Sequence, residues 1–334
     1  MSFLTCSSGP RLHGLHTFVL ENSLLRIVVL PEAGARIWQI TYKPLAAELL
    51  WNHPVLAPAR QPLHAIYDDT WSGGWDELFP NDEAGSVLGL DLPDHGELWT
   101  GEWDAEGFHH EGNAGVSLRY TTPLSNFLAE KTLILRPDSP VLKVEYRLTN
   151  QGTRAFPFLW KLHPAFAVSP NHRIDFPGMT VVREREFEGT LAGTPLLFSW
   201  PYVAARDGAM DLRQVPDISS KALHFFYGTE LAAGWCGVTN RANHLAAVLH
   251  FDPEIFSSCW LFASHGGWRD LNVAVLEPAT GYPFRIQTVI REGRARALAP
   301  GETLQTAVLF SVEEGLLSIG GVEENGRIQP GDET

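Results

Sequence analysis

The chain predicts an all-β protein, a large β-sandwich or barrel built as one domain over residues 1–334. Three observations carry this. Apolar and polar residues alternate with a period of two in run after run, the pattern of strands with one buried face. The 23 prolines and 30 glycines are spread along the whole length, as many short strands joined by turns require. Segments with a helical period are nearly absent, so the layers must be sheet on sheet. With 44% hydrophobic residues there is ample apolar material for one large core, and no composition shift marks a linker. The core is expected over residues 17–312, and the polar tail "ENGRIQPGDET" (324–334) reads as a frayed end.

The elements follow in order. "TFVLENSLLRIVVLP" (17–31) gives two β-rich runs parted by Glu21-Asn22-Ser23, a turn signal. "ARIWQITY" (35–42) alternates, with Ile37, Gln39 and Thr41 on one face. "EKTLILRPDSPVLKVEYRLTN" (130–150) is two strands around Pro137-Asp138-Ser139-Pro140, a hairpin. Further strands are expected at 156–166, 245–251, 258–263, 272–277 and 303–311.

Composition excludes several functions. The net charge of -14, with a pI near 5.3 and no basic run, makes nucleic acid and anionic membrane surfaces poor partners. Cys6, Cys236 and Cys259 are odd in number and far apart, so neither a disulfide framework nor a zinc–thiolate site is indicated. The start, "MSFLTCSSGPRLHG", lacks a basic region followed by an apolar one, and no window approaches the roughly 18 apolar residues of a membrane span. The expectation is a soluble, cytoplasmic protein whose oligomeric state the sequence does not specify.

Three stretches break the strand pattern chemically. Residues 51–103 hold five tryptophans (Trp51, Trp71, Trp75, Trp99, Trp103) beside the Gly73-Gly74 pair and the crowded Asp76, Glu77, Asp94, His95 and Glu97. Indole faces beside carboxylates suit sugars, whose C–H groups stack on rings and whose hydroxyls donate to acids. The plainer reading is that most of these tryptophans pin a long loop to the sandwich. In "LNVAVLEPATGYP" (271–283), Glu277 closes an apolar run on the same face as Val273 and Val275, where desolvation can raise a carboxyl toward a working pKa. In "LWKLHPAF" (159–166), Lys161 and His163 share one face, which therefore meets solvent or lines a cleft. The adjacent His109 and His110 point to opposite faces of a strand, so they do not form a metal site. Nucleophile elbows, P-loops and dinucleotide fingerprints are absent, and no cofactor or metal is indicated.

The order of these pieces resembles that of the aldose 1-epimerase, or galactose mutarotase-like, family: a Gly-Gly-aromatic loop, then Asp-His-Gly, then "TLILRPDSPVLKVEYRLTNQGTRAFPFLWKLHPAF", then Glu-Pro-x-Thr-Gly. The likeness runs from residue 17 to 312, loosely over 180–240, and implies that family's fold, a large twisted antiparallel β-sandwich or supersandwich. By the same resemblance His163 matches the general acid, Glu277 the general base, and His95 a second active-site histidine on the ring side of the sugar. "WSGGWDELFP" is similar to the loop beside the sugar, which makes Trp75, Asp76 and Glu77 candidate contacts, with Asp94, Trp99 and Lys161 beside the histidines and Arg36 as a further candidate. The aspartate that holds sugar hydroxyls in relatives is either Asp270 or Asp76. Relatives that act on hexose 6-phosphates show a motif similar to H-G-F-A-R, whose arginine clamps phosphate. Here His95-Gly96-Glu97-Leu98-Trp99 has no arginine and a carboxylate instead, which favours a neutral, free sugar.

The implied activity is interconversion of the α and β anomers of a free aldose, with Glu277 taking the C1 hydroxyl proton and His163 giving one to the ring oxygen. His95 would steady the developing charge. Two alternatives stand: a non-catalytic carbohydrate-binding protein, or another sugar epimerase or lyase on the same fold.

Overall fold

The computed structural model describes residues 3–206 and 208–332. The chain is nearly all β, with its strands in large antiparallel sheets. It divides into two compact units: the chain through Pro164 together with Thr280–Val308, and Ala165–Ala279 together with the chain from Leu309.

The first unit opens with four sequential antiparallel strands, Leu4–Leu12, Leu15–Asn22, Leu25–Leu30 and Arg36–Tyr42. Arg36–Tyr42 meets Trp75–Leu78 at Ile37, and Trp75–Leu78 in turn pairs antiparallel with Lys161–Phe166. A second layer is the meander Asp104–His110, Asn113–Thr121, Phe127–Leu135 and Val141–Asn150. Phe127, Ala129, Leu133 and Leu135 alternate inward along one of its strands, and Leu142, Val144 and Leu148 along the next. The layers meet through aromatic edges, with Phe79 against Phe127 at 4.9 Å and Trp160 against Tyr146 at 5.2 Å between ring centroids.

The turn signal at Glu21-Asn22-Ser23 has a mechanism. The Asn22 side chain is fully buried; its oxygen accepts from the N–H groups of Leu24 and Leu25, and its amide donates to the carbonyls of Arg136 and Ser139. One side chain thus shapes its own turn and ties it to the tip of the 127–150 hairpin. Asn22→Ala leaves those carbonyls and N–H groups unsatisfied, and about 2–3 kcal/mol of stability is expected to be lost. Urea unfolding at fixed pH measures it, and an unchanged midpoint would contradict it.

Three details differ from the pattern reading. The polar tail is not simply a frayed end: Ile328–Pro330 pairs with Ile319–Val322, and Ile328 is buried. The pairing of Leu25–Leu30 with Arg36–Tyr42 slips between Val28 and Val29, a β-bulge that places Trp38 as the extra residue. The bulge shifts the alternation, so Ile37 is buried while Gln39 and Thr41 are half-exposed. The run expected at 156–166 is two strands. Phe156–Phe158 pairs with Arg296–Leu298, and Trp160 exchanges bonds with Thr280 before Lys161–Phe166 begins.

The second unit contains the antiparallel series Thr180–Arg183, Ala222–Thr229, Ser258–His265 and Asn272–Ala279. It also contains His172–Asp175, Trp235–Asn240 and Leu245–His250, the last pairing with Leu309–Glu314. Cys236 and Cys259 are buried, and their side chains interact within this unit. Among the described residues no helix is long and apolar enough to cross a membrane.

Candidate active site

Strand register sets which side chains can meet. In the pairing of Trp75–Leu78 with Lys161–Phe166, Asp76 lies opposite His163, Leu78 opposite Lys161, and Glu77 opposite Leu162. Asp76, Lys161 and His163 therefore share one face, and Glu77 takes the other. The face carrying Lys161 and His163 does not meet solvent: all six residues of Lys161–Phe166 are buried, with Lys161 and His163 at 4% and 6% exposure. It is a polar face closed over by other polar groups.

The chain before this strand pair supplies the cover. Gly73 and Gly74 both have positive φ, and a Cβ at Gly73 would stand 2.3 Å from the Trp51 carbonyl oxygen. Only glycine lets the loop pass that closely into Trp75–Leu78. Just upstream, the one-turn helix Tyr67–Thr70 puts Tyr67 at the centre of the cluster. Its N–H donates to Asp94 Oδ2 at 2.8 Å, and its hydroxyl lies 2.9 Å from Asp76 Oδ2 and 3.1 Å from His163 Nδ1. The His95 ring stacks on it at 4.2 Å, while Trp99 and His163 meet it edge-on at 4.9 and 5.5 Å. Trp71 meets the His163 ring at 5.4 Å from another side.

Charge is densely paired here. Arg36 Nε donates to Asp76 Oδ1 at 2.6 Å, and the same guanidinium reaches Ser72. His95 has carboxylates at both ring nitrogens, Asp94 at 2.9 Å from Nδ1 and Asp82 at 3.2 Å from Nε2. Lys161 Nζ donates to the other oxygen of Asp82 at 3.1 Å. Burial works against a charged His95, but Asp82 and Asp94 outweigh it and raise its pKa. Burial likewise opposes the Asp94 carboxylate, and the His95 and Tyr67 contacts outweigh it and lower that pKa. His163 is the opposite case. Burial first, then the nearby charges of Lys161, His95 and Arg36, hold its pKa well below the ordinary imidazole value. The carboxylates favour protonation of one histidine, and burial with the nearby cations disfavours it in the other.

Of the residues singled out from the sequence, His163, His95, Asp94, Asp76, Arg36, Lys161 and Trp99 come together around Tyr67. Trp75 and Glu77 do not. Trp75 is wholly buried, and Glu77 bonds to Lys131 and Tyr146 inside the sandwich. Glu97 also turns away: its carboxylate accepts from the N–H groups of Leu124 and Ser125 and from the Ser125 hydroxyl. It fastens the 122–127 turn, so it is not the group that would repel a phosphate. In the second unit, Asp270 is exposed and paired with Lys221 at 2.7 Å, and Glu277 is buried on Asn272–Ala279 opposite Trp260. Sequence reasoning missed Tyr67, Ser72 and Asp82. All three lie in the 51–103 segment already marked by its tryptophans and acids, and that density was the available signal.

No family model matches the chain. Solved structures share its fold. A proposed aldose 1-epimerase from Klebsiella pneumoniae is 14% identical with a TM-score of 0.72, over 90% of this chain and 79% of that one. A galactose mutarotase-like protein from Clostridium acetobutylicum is 10% identical with a TM-score of 0.66, over 93% and 99%. A galactose mutarotase related enzyme from Lactobacillus acidophilus is 12% identical with a TM-score of 0.63, over 89% and 97%. At these identities the likeness concerns the fold. The chain has the fold of the galactose mutarotase-like and aldose 1-epimerase-like proteins.

Proposed function

We propose that the protein is an aldose 1-epimerase-type isomerase, acting without a cofactor on a free sugar; with Glu97 turned away, the preference for a non-phosphorylated one rests on the missing arginine in His95-Gly96-Glu97-Leu98-Trp99. The observation that carries the reading is the buried cluster in the first unit. Two histidines of opposite protonation preference, flanked by Asp76, Asp82, Asp94 and Lys161, share one aromatic-walled locus. Groups whose environments push their pKa values apart are the raw material of acid–base catalysis. Anomer exchange needs only paired proton transfers, one at the C1 oxygen and one at the ring oxygen. His163 exchanges one of these protons. Burial disfavours the charged ring, so His163 gives its proton to the ring oxygen from a minor protonated form supplied by solvent, and takes that proton back when the ring closes. Glu277 is assigned as the general base by the sequence resemblance. The contribution of each group to rate is on the order of 10²–10⁴-fold. The sugar is the expected partner.

One observation favours a second reading, a non-catalytic carbohydrate-binding protein: both ring nitrogens of His95 already face carboxylates, as in a network built to hold shape. Nuclear magnetic resonance in deuterated water separates the readings. With pure α-aldoses the expected result is faster α/β equilibration and no deuterium at C2. Deuterium at C2 would identify a different epimerase. Sugar binding without faster equilibration would establish the binding protein and sink the isomerase.

A further inference from the structure

The Tyr67 hydroxyl carries one hydrogen and lies within bonding distance of both Asp76 Oδ2 and His163 Nδ1. Asp76 is fully buried and its carboxylate can only accept hydrogen bonds. Arg36 Nε donates to one of its oxygens, and the Tyr67 hydroxyl faces the other. Were the hydroxyl hydrogen given to His163 instead, a buried carboxylate oxygen would face the phenol oxygen, lone pair against lone pair. The charge-assisted bond to Asp76 is the stronger choice. The phenol oxygen is then the acceptor toward His163 Nδ1, and that nitrogen must carry a hydrogen. A neutral imidazole carries only one, so Nε2 holds a lone pair.

We infer that Arg36, Asp76 and Tyr67 form a positioning relay that fixes His163 as its Nδ1–H tautomer and leaves Nε2 as the atom that exchanges protons. The relay reverses the preference of a free imidazole, which carries its proton mainly on Nε2. It is built from three separate pieces of chain: Arg36 at the start of Arg36–Tyr42, Asp76 opposite His163 in the strand pair, and Tyr67 from the one-turn helix inserted between them. Neither Tyr67 nor Asp76 need touch a sugar to act this way. The consequence for rate rests on the proton-transfer reading proposed above; the tautomer does not.

The test replaces Asp76 with asparagine. Arg36 would keep the amide oxygen, so the amide NH₂ would face Tyr67. The phenol would then accept from the amide and turn its hydrogen to His163 Nδ1, forcing the Nε2–H tautomer. Imidazole ¹⁵N spectra of the ¹⁵N-histidine-labelled full chain at about pH 8, above the ordinary imidazole range, read this directly. His163 is assigned by the signal lost in His163→Gln. The expected result is a pyridine-like Nε2 in the unsubstituted protein and a pyridine-like Nδ1 in Asp76→Asn. A pyridine-like Nδ1 in the unsubstituted protein would overturn the relay, and so would an unchanged tautomer in folded Asp76→Asn. If Asp76→Asn does not fold, Tyr67→Phe serves: population of the Nε2–H form supports the relay, and its absence overturns it. In turnover, Asp76→Asn is expected to lower kcat on the order of 10²–10⁴-fold with KM little changed. If the tautomers behave as stated while the protein accelerates no aldose, the relay stands and the isomerase reading falls.

Discussion

Lys131→Ala is expected to lower the unfolding free energy by about 3–5 kcal/mol, the range for removing one partner of a buried ion pair. Lys131 is wholly buried on the inward face of Phe127–Leu135 and lies directly opposite Tyr146 in the meander. Its ammonium reaches Glu77 at 2.8 Å and the Ala35 carbonyl at 3.0 Å, while the Tyr146 hydroxyl donates to Glu77 at 2.7 Å. Burial pushes the Glu77 pKa up even with Lys131 beside it, and pushes the Tyr146 hydroxyl well above its ordinary value. Removing the ammonium leaves a carboxyl with no counter-charge in an apolar layer. The double variant Lys131→Met with Glu77→Leu removes both charges together and is expected to recover most of the loss, since apolar replacements of buried pairs are often neutral. Urea unfolding of the single and double variants measures this. A single variant within about 1 kcal/mol of the unsubstituted protein would show that the pair carries no such weight. The pair also bears on the site, because Glu77 anchors one face of Trp75–Leu78 while Asp76 serves the other.

The stability difference between the unsubstituted protein and His163→Gln is expected to shrink as pH falls below about 6.5, by up to about 1.4 kcal/mol per pH unit. In the unfolded chain His163 titrates near about 6.5. In the folded protein burial, then Lys161, His95 and Arg36, hold it well below that. Between the two values the unfolded state binds one more proton, so stability rises with pH through the window and is lost as pH falls. His224, held at about 4 by burial and by His265, acts in the same direction in both proteins, which is why the difference is measured. His95 acts in the opposite sense: its raised value adds stability that is present below about 6.5 and lost as pH rises through the folded value. Urea-unfolding free energies at several values between about pH 5 and 7.5 give the two curves. Curves that stay parallel would show that His163 titrates as it does in the unfolded chain.

Much of the fold was legible because sheets write their own period. The hairpin over 130–150, whose first strand starts three residues earlier at Phe127, and the turn at Asn22 were both readable from residue type and spacing. The bulge at Trp38 was not, since one extra residue in a strand leaves no mark on composition. The break at Leu159-Trp160 was hidden for a related reason: an apolar run reads as one strand whether or not its partner changes midway. The residues of the candidate site were half legible as a group that the fold brings together. His163, His95 and Asp76 stood out as polar groups in apolar or tryptophan-rich surroundings. Tyr67 did not, because its role comes from three elements that meet only in space. Lys131 was hidden in the same way, as one polar member of an alternating row whose counter-charge lies 54 residues away in the chain. The direction of each histidine's pKa was also illegible, because it depends on which charges lie near the ring and how deeply it is buried.

Polarimetry on freshly dissolved α-D-glucose and α-D-galactose, with the unsubstituted protein and His163→Gln in parallel, tests whether the protein exchanges anomers through His163. Faster relaxation to the anomeric equilibrium is expected with the unsubstituted protein, lowered on the order of 10²–10⁴-fold in His163→Gln. Relaxation at the uncatalysed rate over a wide panel of free aldoses, or full activity retained in His163→Gln, would contradict it.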